Sequence, residues 1–94
     1  MDTFYFYIIF SQFLDNYYIG HTSNLAERLR KHNSDHKGYT GKTNDWEFVY
    51  VETFSSKTEA YQRERQIKAW KNRNRIECLI AKNPFSPQQL QQLP

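Results

Sequence analysis

The stretch 16–33 constrains the fold more than any other part of the chain. It opens with aromatic and β-branched residues up to Ile19, which favour a strand, and Gly20 interrupts this pattern. Asn24 followed by Glu27 has the spacing of a helix cap whose third helical residue is a carboxylate. The sequence therefore predicts a strand that ends at a glycine and is followed directly by a helix.

The predicted helix carries chemistry beside its apolar stripe. Leu25 and Leu29 are expected to face the core, and Arg28 and His32 lie one turn apart on a shared face next to them. Because the preceding strand contains Tyr18, a tyrosine, an arginine and a histidine can converge at this point of the fold.

The segment 4–10 alternates strong sheet formers and is apolar on both faces, which predicts a central strand. A short connection at 11–15 lets the strand 16–19 return antiparallel beside it. Tyr7 and Tyr18 then lie on neighbouring strands. Whether they share a face depends on the hairpin register, which the sequence leaves open.

The remaining elements follow in order. The segment 34–45 reads as a loop, and 46–54 as a third strand. This strand is expected to place one set of residues on one face (Trp46, Phe48, Tyr50 and Phe54) and Val49 and Val51 on the other. A capping pattern, Ser56 to Glu59, opens a helix that runs to Trp70 or Lys71, and a third helix is predicted at 72–82.

The sequence thus predicts an α+β fold with the order β-β-α-β-α-α in one domain at 1–83. The polar tail at 84–94 either forms one loose turn that docks Leu90 and Leu93 or frays.

Glu64 is out of place in the second helix. The inward stripe of this helix is Ala60, Glu64, Ile67 and Trp70 or Lys71, so a carboxylate occupies the centre of an apolar face. A partly buried carboxylate needs compensation, either from an ion pair with a nearby Lys or Arg or from a bound cation. The residues alone leave these two explanations open.

Charge and cysteine content narrow the class of protein. The net charge is +3, and the segment 57–77 has seven Lys and Arg against three Glu, which gives +4 there and −1 elsewhere. Such a basic segment is either a solvated helix face or a nucleic-acid footprint. The lone Cys78 predicts a reducing, cytoplasmic location, and the apolar opening is too short for a bilayer span and lacks the basic start of a signal peptide.

Five features in order resemble the GIY-YIG nuclease domain, and more narrowly its small stand-alone bacterial members. They are the strand ending in Tyr7, the triplet Tyr18-Ile19-Gly20, Arg28, His32, and the helix with Arg63-Glu64, Ile67-Lys68 and Trp70. The resemblance covers about residues 4–82. It departs from the family pattern in the first triplet, Tyr5-Phe6-Tyr7, where only the tyrosine matches.

The resemblance implies a three-stranded antiparallel sheet flanked by helices and metal-dependent hydrolysis of phosphodiester bonds. It implies catalytic roles for Tyr7, Tyr18, Arg28, His32 and Glu64, with Glu64 holding Mg²⁺ or Mn²⁺. Which tyrosine takes the proton is left open. An arginine fork suits phosphate, and one carboxylate with waters and substrate can suffice for magnesium.

Substrate contacts are expected from a wider set of residues: Gly20, Arg30, Lys31, Tyr39, Lys42, Arg63, Lys68 and Lys71. The predicted partner is nucleic acid, with DNA favoured over RNA, and the expected cleavage is structure-selective or weakly sequence-selective. The expected setting is DNA repair or recombination, and the protein is expected to act as a monomer or weak dimer. One alternative is a non-catalytic nucleic-acid-binding module that retains the fold. A third hypothesis, with less support from the sequence, is a protein-interaction domain that presents the aromatic sheet.

Overall fold

The computed structural model describes residues 2–34 and 36–90, with the side chains at 87 and 90 excepted. Its elements, in order, are β1 (Phe4–Ser11), β2 (Asn16–Thr22), α1 (Leu25–His32), a 3₁₀ turn (Tyr39–Lys42), β3 (Glu47–Phe54), α2 (Lys57–Lys68), α3 (Arg73–Lys82) and the short α4 (Pro87–Leu90). The predicted α+β fold and its order are confirmed. The predicted docking of Leu90 and Leu93 concerns side chains outside the described part of the chain.

The sheet is antiparallel with the order β2-β1-β3, so β1 is the central strand, as its two apolar faces predict. One face of the sheet carries a cluster that joins α1 and the loop before β3: Tyr5, Tyr7, Ile9, Leu25, Trp46 and Phe48. The other face carries a cluster that joins α2: Phe6, Ile8, Ile19, Tyr50 and Ile67. Alternate β1 side chains therefore anchor α1 on one face and α2 on the other.

The predicted end of β2 at Gly20 is wrong. β2 continues to Thr22, and Gly20 pairs with Tyr7 of β1. No described glycine has a positive φ angle, so Gly20 keeps ordinary strand geometry. What this position requires is the absence of a side chain, because a Cβ atom there would lie 2.4 Å from the Tyr7 hydroxyl oxygen.

The predicted faces of β3 are also wrong. Ile8 pairs with Tyr50 and Ile9 pairs with Phe48, so a β-bulge leaves Val49 without a partner in the register. The extra residue reverses the alternation, and Phe48 and Tyr50 pack in the clusters on opposite faces. Strand periodicity alone carries no signal for such an insertion.

The helix caps agree with the sequence. Asn24 accepts a hydrogen bond from the Glu27 backbone N–H at 3.0 Å, and Ser56 caps α2 in the same way. The Glu27 carboxylate does not complete the predicted capping box, because it pairs with Arg30 at 2.7 Å. α2 ends at Lys68, and Lys71 has a φ of 47°, which ends any helical continuation before α3. No helix in the described part of the chain has the length and hydropathy to cross a bilayer.

The segment after α3 returns to the sheet. Phe85 donates its backbone N–H to the Val49 carbonyl at 3.0 Å, and its ring packs edge to face on Phe48. The division between a domain at 1–83 and a polar tail stays a prediction.

Candidate active site

The register of the first hairpin places both tyrosines on one face. Tyr7 is opposite Gly20 and Ile9 is opposite Tyr18, so Tyr7 and Tyr18 are diagonal neighbours on β1 and β2. The bare backbone at Gly20 lets the Tyr7 ring reach across β2, which is the edge strand. The register that the sequence left open thus brings the two rings together.

A cavity of about 340 Å³ opens beside this edge of the sheet. Its lining contains all five residues for which the family resemblance implies catalytic roles: Tyr7, Tyr18, Arg28, His32 and Glu64. Gly20, His21 and Lys57 also line it. Residues from β1, β2, α1 and α2, on both faces of the sheet, therefore meet at one site.

Arg28 is an exposed cation in the lining of this cavity. It projects from the exposed side of α1, and among the described residues no hydrogen bond or ion pair holds its guanidinium group. A planar guanidinium with unsatisfied donors is well suited to binding a phosphate through two parallel hydrogen bonds. The site thus offers an anion-binding group that forms no ion pair within the described residues.

Tyr7 and His32 form the buried side of the cavity. The Tyr7 hydroxyl lies 2.7 Å from His32 Nε2, and His32 Nδ1 lies 2.8 Å from the Thr40 hydroxyl. Burial, with a smaller contribution from Tyr18, raises the pKa of Tyr7 above its ordinary value. Burial, together with the Arg28 and His36 charges, lowers the pKa of His32 to about 4. Both groups are therefore neutral at neutral pH in the free protein.

Glu64 faces the cavity from α2, and its side chain is only 12% exposed. His21 Nδ1 lies 2.6 Å from one carboxylate oxygen, and Lys68 Nζ donates to the other at 2.8 Å. Burial raises the pKa of the Glu64 carboxyl, but the hydrogen bonds from Lys68 and His21 outweigh it and leave this pKa below its ordinary value. The carboxylate is thus ionised, and the predicted ion pair is one source of its compensation.

The donor set at Glu64 fits a hydrated divalent ion. No cluster of three or more His, Cys, Asp or Glu residues able to hold a metal occurs in the part of the chain that the structure describes. A magnesium-like ion needs no such cage, since it keeps several waters and binds through one carboxylate and substrate phosphates. The Lys68 side chain is 48% exposed, so solvent weakens its ion pair with Glu64, the contact with which a cation would compete.

A second cavity of about 430 Å³ continues the first along α1. It shares Tyr18, Arg28 and His32 with the first cavity and adds Lys31 and Tyr39, two of the predicted substrate-binding residues. The two cavities therefore form one groove, which we call the α1 groove.

The other predicted substrate-binding residues lie at varying distance from this groove. Arg30 is exposed and pairs with Glu27, and Lys42 lies over the Tyr39 ring with its Nζ 5.2 Å from the ring centroid. The Arg63 guanidinium forms two hydrogen bonds with Glu52, at 2.9 and 3.0 Å. Lys71 follows α2 and lines neither cavity of the groove. Their contacts with substrate stay predictions.

Sequence reasoning missed His21 and Thr40. His21 follows the glycine at which the strand was expected to end, and only its continued alternation turns the ring toward Glu64. Thr40 lies in a segment read as a loop, yet it is 3% exposed and contacts His32. The strand pattern offered a signal for His21, whereas no local pattern marks Thr40.

Comparison with known proteins agrees with this geometry. A family model described as the GIY-YIG catalytic domain matches residues 3–77, which is most of the chain. The chain belongs to the GIY-YIG catalytic-domain family. The family that the sequence resembles is thereby confirmed.

Three relatives place the chain more narrowly in this family. A UPF0213 protein of Staphylococcus haemolyticus is 38% identical over 64 residues, which is 66% of this chain and 77% of that protein. A UPF0213 protein of Bacillus pumilus is 44% identical over 55 residues, covering 56% of this chain and 55% of that protein. The solution NMR structure of a UPF0213 protein from Bacillus halodurans superposes with a TM-score of 0.57 at 27% identity, covering 95% and 93% of the two chains. The GIY-YIG fold is therefore shared with small bacterial proteins.

Proposed function

We propose that this chain is a metal-dependent endonuclease that hydrolyses phosphodiester bonds of DNA. The observation that carries the proposal is the exposed Arg28 guanidinium, which lines the same cavity as the Glu64 carboxylate and the Tyr7 and Tyr18 rings. Membership of a catalytic-domain family supports it. A phosphate-binding cation beside a group that can hold a metal ion is an arrangement that stabilises phosphoryl transfer.

Each residue has a distinct task in this proposal. Arg28 binds the non-bridging oxygens of the scissile phosphate, and Glu64 holds the divalent ion. The ion supplies charge neutralisation and a more acidic bound water when it is present. Tyr7 and Tyr18 both line the cavity, so one can orient the attacking water or the phosphate while the other, as tyrosinate, takes the proton of that water.

The α1 groove supports binding of a nucleic-acid strand on either side of the scissile phosphate. Lys57 lines the first cavity of the groove and Lys31 the second, and Tyr39 offers a ring on which a base can stack. These contacts reach phosphate and the faces of bases, which carry little sequence information. This arrangement supports cleavage that is structure-selective or only weakly sequence-selective.

A non-catalytic nucleic-acid-binding module is the second candidate. It is favoured by one observation: both oxygens of Glu64 already accept hydrogen bonds, from His21 and Lys68. In that case the carboxylate would hold α2 against β2 and would bind no metal.

Cleavage assays with paired variants distinguish the two candidates. Wild type, Glu64→Gln and Glu59→Gln are incubated with closed circular, flapped and branched DNA and with single-stranded RNA, in Mg²⁺, Mn²⁺ or chelator. Glu59 is a matched control, because it is an exposed carboxylate in the first turn of the same helix. We expect cleavage by wild type and Glu59→Gln with metal only, and a loss of at least a hundredfold in Glu64→Gln.

Cleavage rates and DNA-binding measurements together decide between the two candidates. If Glu64→Gln cleaves as fast as wild type, the proposed role of this carboxylate is wrong. If no form cleaves any substrate while all forms bind DNA, the second candidate replaces the first. Arg28→Ala should weaken DNA binding in chelator, and Arg28→Lys should restore only part of it, because an ammonium lacks the planar fork.

A further inference from the structure

A chain of hydrogen bonds runs from a surface loop to the Tyr7 hydroxyl. It begins at the backbone N–H of Gly38, which donates to His36 Nδ1 at 3.0 Å. His36 Nε2 lies 3.0 Å from the Thr40 hydroxyl oxygen, which lies 2.8 Å from His32 Nδ1. His32 Nε2 lies 2.7 Å from the Tyr7 hydroxyl oxygen. Four consecutive contacts thus connect a backbone amide to the wall of the cavity.

The first donor fixes the proton of a neutral His36 on Nε2, and one direction through the later bonds then uses every donor and acceptor of the series. A backbone N–H only donates, so His36 Nδ1 is the acceptor and a neutral His36 carries its proton on Nε2. That proton is donated to the Thr40 oxygen, and the Thr40 hydroxyl proton is donated to His32 Nδ1. His32 then carries its own proton on Nε2 and donates it to Tyr7.

The opposite direction is unfavourable. It would place a proton on His36 Nδ1, which faces the Gly38 N–H at 3.0 Å, so two donors would point at each other. It would also make Tyr7 the donor and His32 Nε2 the acceptor. A third arrangement, in which the Thr40 oxygen accepts from both imidazoles, would leave the Thr40 hydroxyl proton without an acceptor among the described contacts, in a residue that is 3% exposed. The contacts therefore favour one direction.

The loop is built closely around this chain. A Cβ atom at Gly41 would lie 2.1 Å from the His36 carbonyl oxygen, and one at Gly38 would lie 2.9 Å from the His36 ring. The indole N–H of Trp46 donates to the Thr40 carbonyl at 2.8 Å and holds the backbone of Thr40 in place. Close packing at two glycines and a buried anchor fix the position of His36 and Thr40 relative to His32.

We propose that His36 and Thr40 are positioning residues that hold His32 in its Nε2–H tautomer, so that His32 donates to Tyr7 and the Tyr7 O–H is left for an oxygen in the cavity. His32 is then a fixed donor and does not accept the proton of the attacking water. The catalytic consequence rests on the proposed function, because the oxygen that Tyr7 meets would belong to the phosphate or to that water. The hydrogen-bond chain itself does not rest on it.

The tautomer of His32 is directly measurable by ¹⁵N NMR of the imidazole nitrogens at neutral pH. We expect a protonated Nε2 and an unprotonated Nδ1 in the wild type. Thr40→Val keeps the side-chain shape and removes the hydroxyl, so His32 should become a mixture of tautomers, whereas Thr40→Ser should retain the wild-type signals. Thr43→Val is the matched control, since the Thr43 hydroxyl donates to Asp45 and takes no part in the hydrogen bonds that connect His36, Thr40 and His32.

His36→Ala is a second test, because His36 is exposed and its removal should leave the fold intact. We expect this variant to lose the single tautomer of His32 as well. A wild-type His32 protonated on Nδ1 or on both nitrogens would overturn the proposal, as would a tautomer unchanged in both Thr40→Val and His36→Ala.

Cleavage rates separate this inference from the proposed function. We expect Thr40→Val to cleave about three- to tenfold more slowly than wild type and Thr40→Ser to recover the rate, as for the loss of one positioning hydrogen bond. A wild type that shows the expected His32 tautomer but has no nuclease activity would refute the proposed function and support the series of hydrogen bonds from Gly38 to Tyr7. If Thr40→Val loses the single His32 tautomer but cleaves as fast as the wild type, the proposed effect of that tautomer on catalysis is wrong.

Discussion

Gly20→Ala tests the close approach on which the site depends. In a strand, alanine is ordinarily more stable than glycine by about 0.5–1 kcal/mol, because the unfolded chain loses less entropy. Here the new Cβ atom would lie 2.4 Å from the Tyr7 hydroxyl oxygen and 2.6 Å from Cζ, so the ring must move by about 1 Å to reach ordinary contact.

The Tyr7 ring has little freedom to make that movement. It is 2% exposed, packs edge to face on Phe48 with 5.6 Å between the ring centroids, and contacts His32 through its hydroxyl. Overpacking in a core costs about 1–3 kcal/mol, and loss of the Tyr7–His32 hydrogen bond costs about 1 kcal/mol more. After the alanine gain is subtracted, we expect a net destabilisation of about 2 kcal/mol, or roughly 10 °C in melting temperature for a domain of this size.

Urea unfolding followed by far-UV circular dichroism measures this difference, and a double-mutant cycle isolates its cause. In a Tyr7→Leu background the ring is absent, so Gly20→Ala should be neutral or stabilising there. The proposed clash with the Tyr7 ring is refuted if Gly20→Ala leaves the stability of the wild type unchanged, or lowers it equally in both backgrounds. The first result would show that the ring moves freely, and the second that the cost is in the β2 backbone.

Three further predictions follow from the site and its supports. The pKa of His32 is lowered from 6.5 to about 4 in the folded state, so the unfolded state binds this proton first as pH falls. The free energy of unfolding should therefore decrease by about 3 kcal/mol between about pH 6.5 and pH 4, relative to His32→Gln, in urea titrations at each pH. Lys68→Met removes the ammonium that donates to Glu64, so calorimetry should show Mn²⁺ binding tightened by about three- to tenfold. Asn24→Ala removes the α1 cap and should cost about 1 kcal/mol in urea unfolding, whereas Asn24→Asp should cost little.

Each of these predictions has an outcome that would contradict it. Parallel pH profiles for wild type and His32→Gln would mean that His32 titrates alike in the folded and unfolded states. Weaker Mn²⁺ binding in Lys68→Met would show that Lys68 supports the carboxylate and does not compete with the cation. An Asn24→Ala variant as stable as Asn24→Asp would mean that the observed cap contributes nothing.

Much of the fold was predictable because its signals are local. A cap is made by residues three positions apart, so Asn24 and Ser56 could be located from spacing alone. The central place of β1 follows from its two apolar faces, and the inward position of Glu64 follows from helical periodicity on α2. Errors arose at Gly20 and Val49, where partner strands decide whether a residue continues or interrupts a strand.

The sequence by itself determined the order of the elements and their caps, since these depend on neighbours within a few positions. The set of side chains expected at the site was implied by the family resemblance. Only the tertiary structure decided that Tyr7 lies opposite Gly20, that His21 contacts Glu64, and that the 3₁₀ turn brings Thr40 to His32. These pairings join residues whose relation depends on strand register and loop path. A shift of one residue in that register would turn either tyrosine to the other face of the sheet, and no local pattern in the chain specifies it.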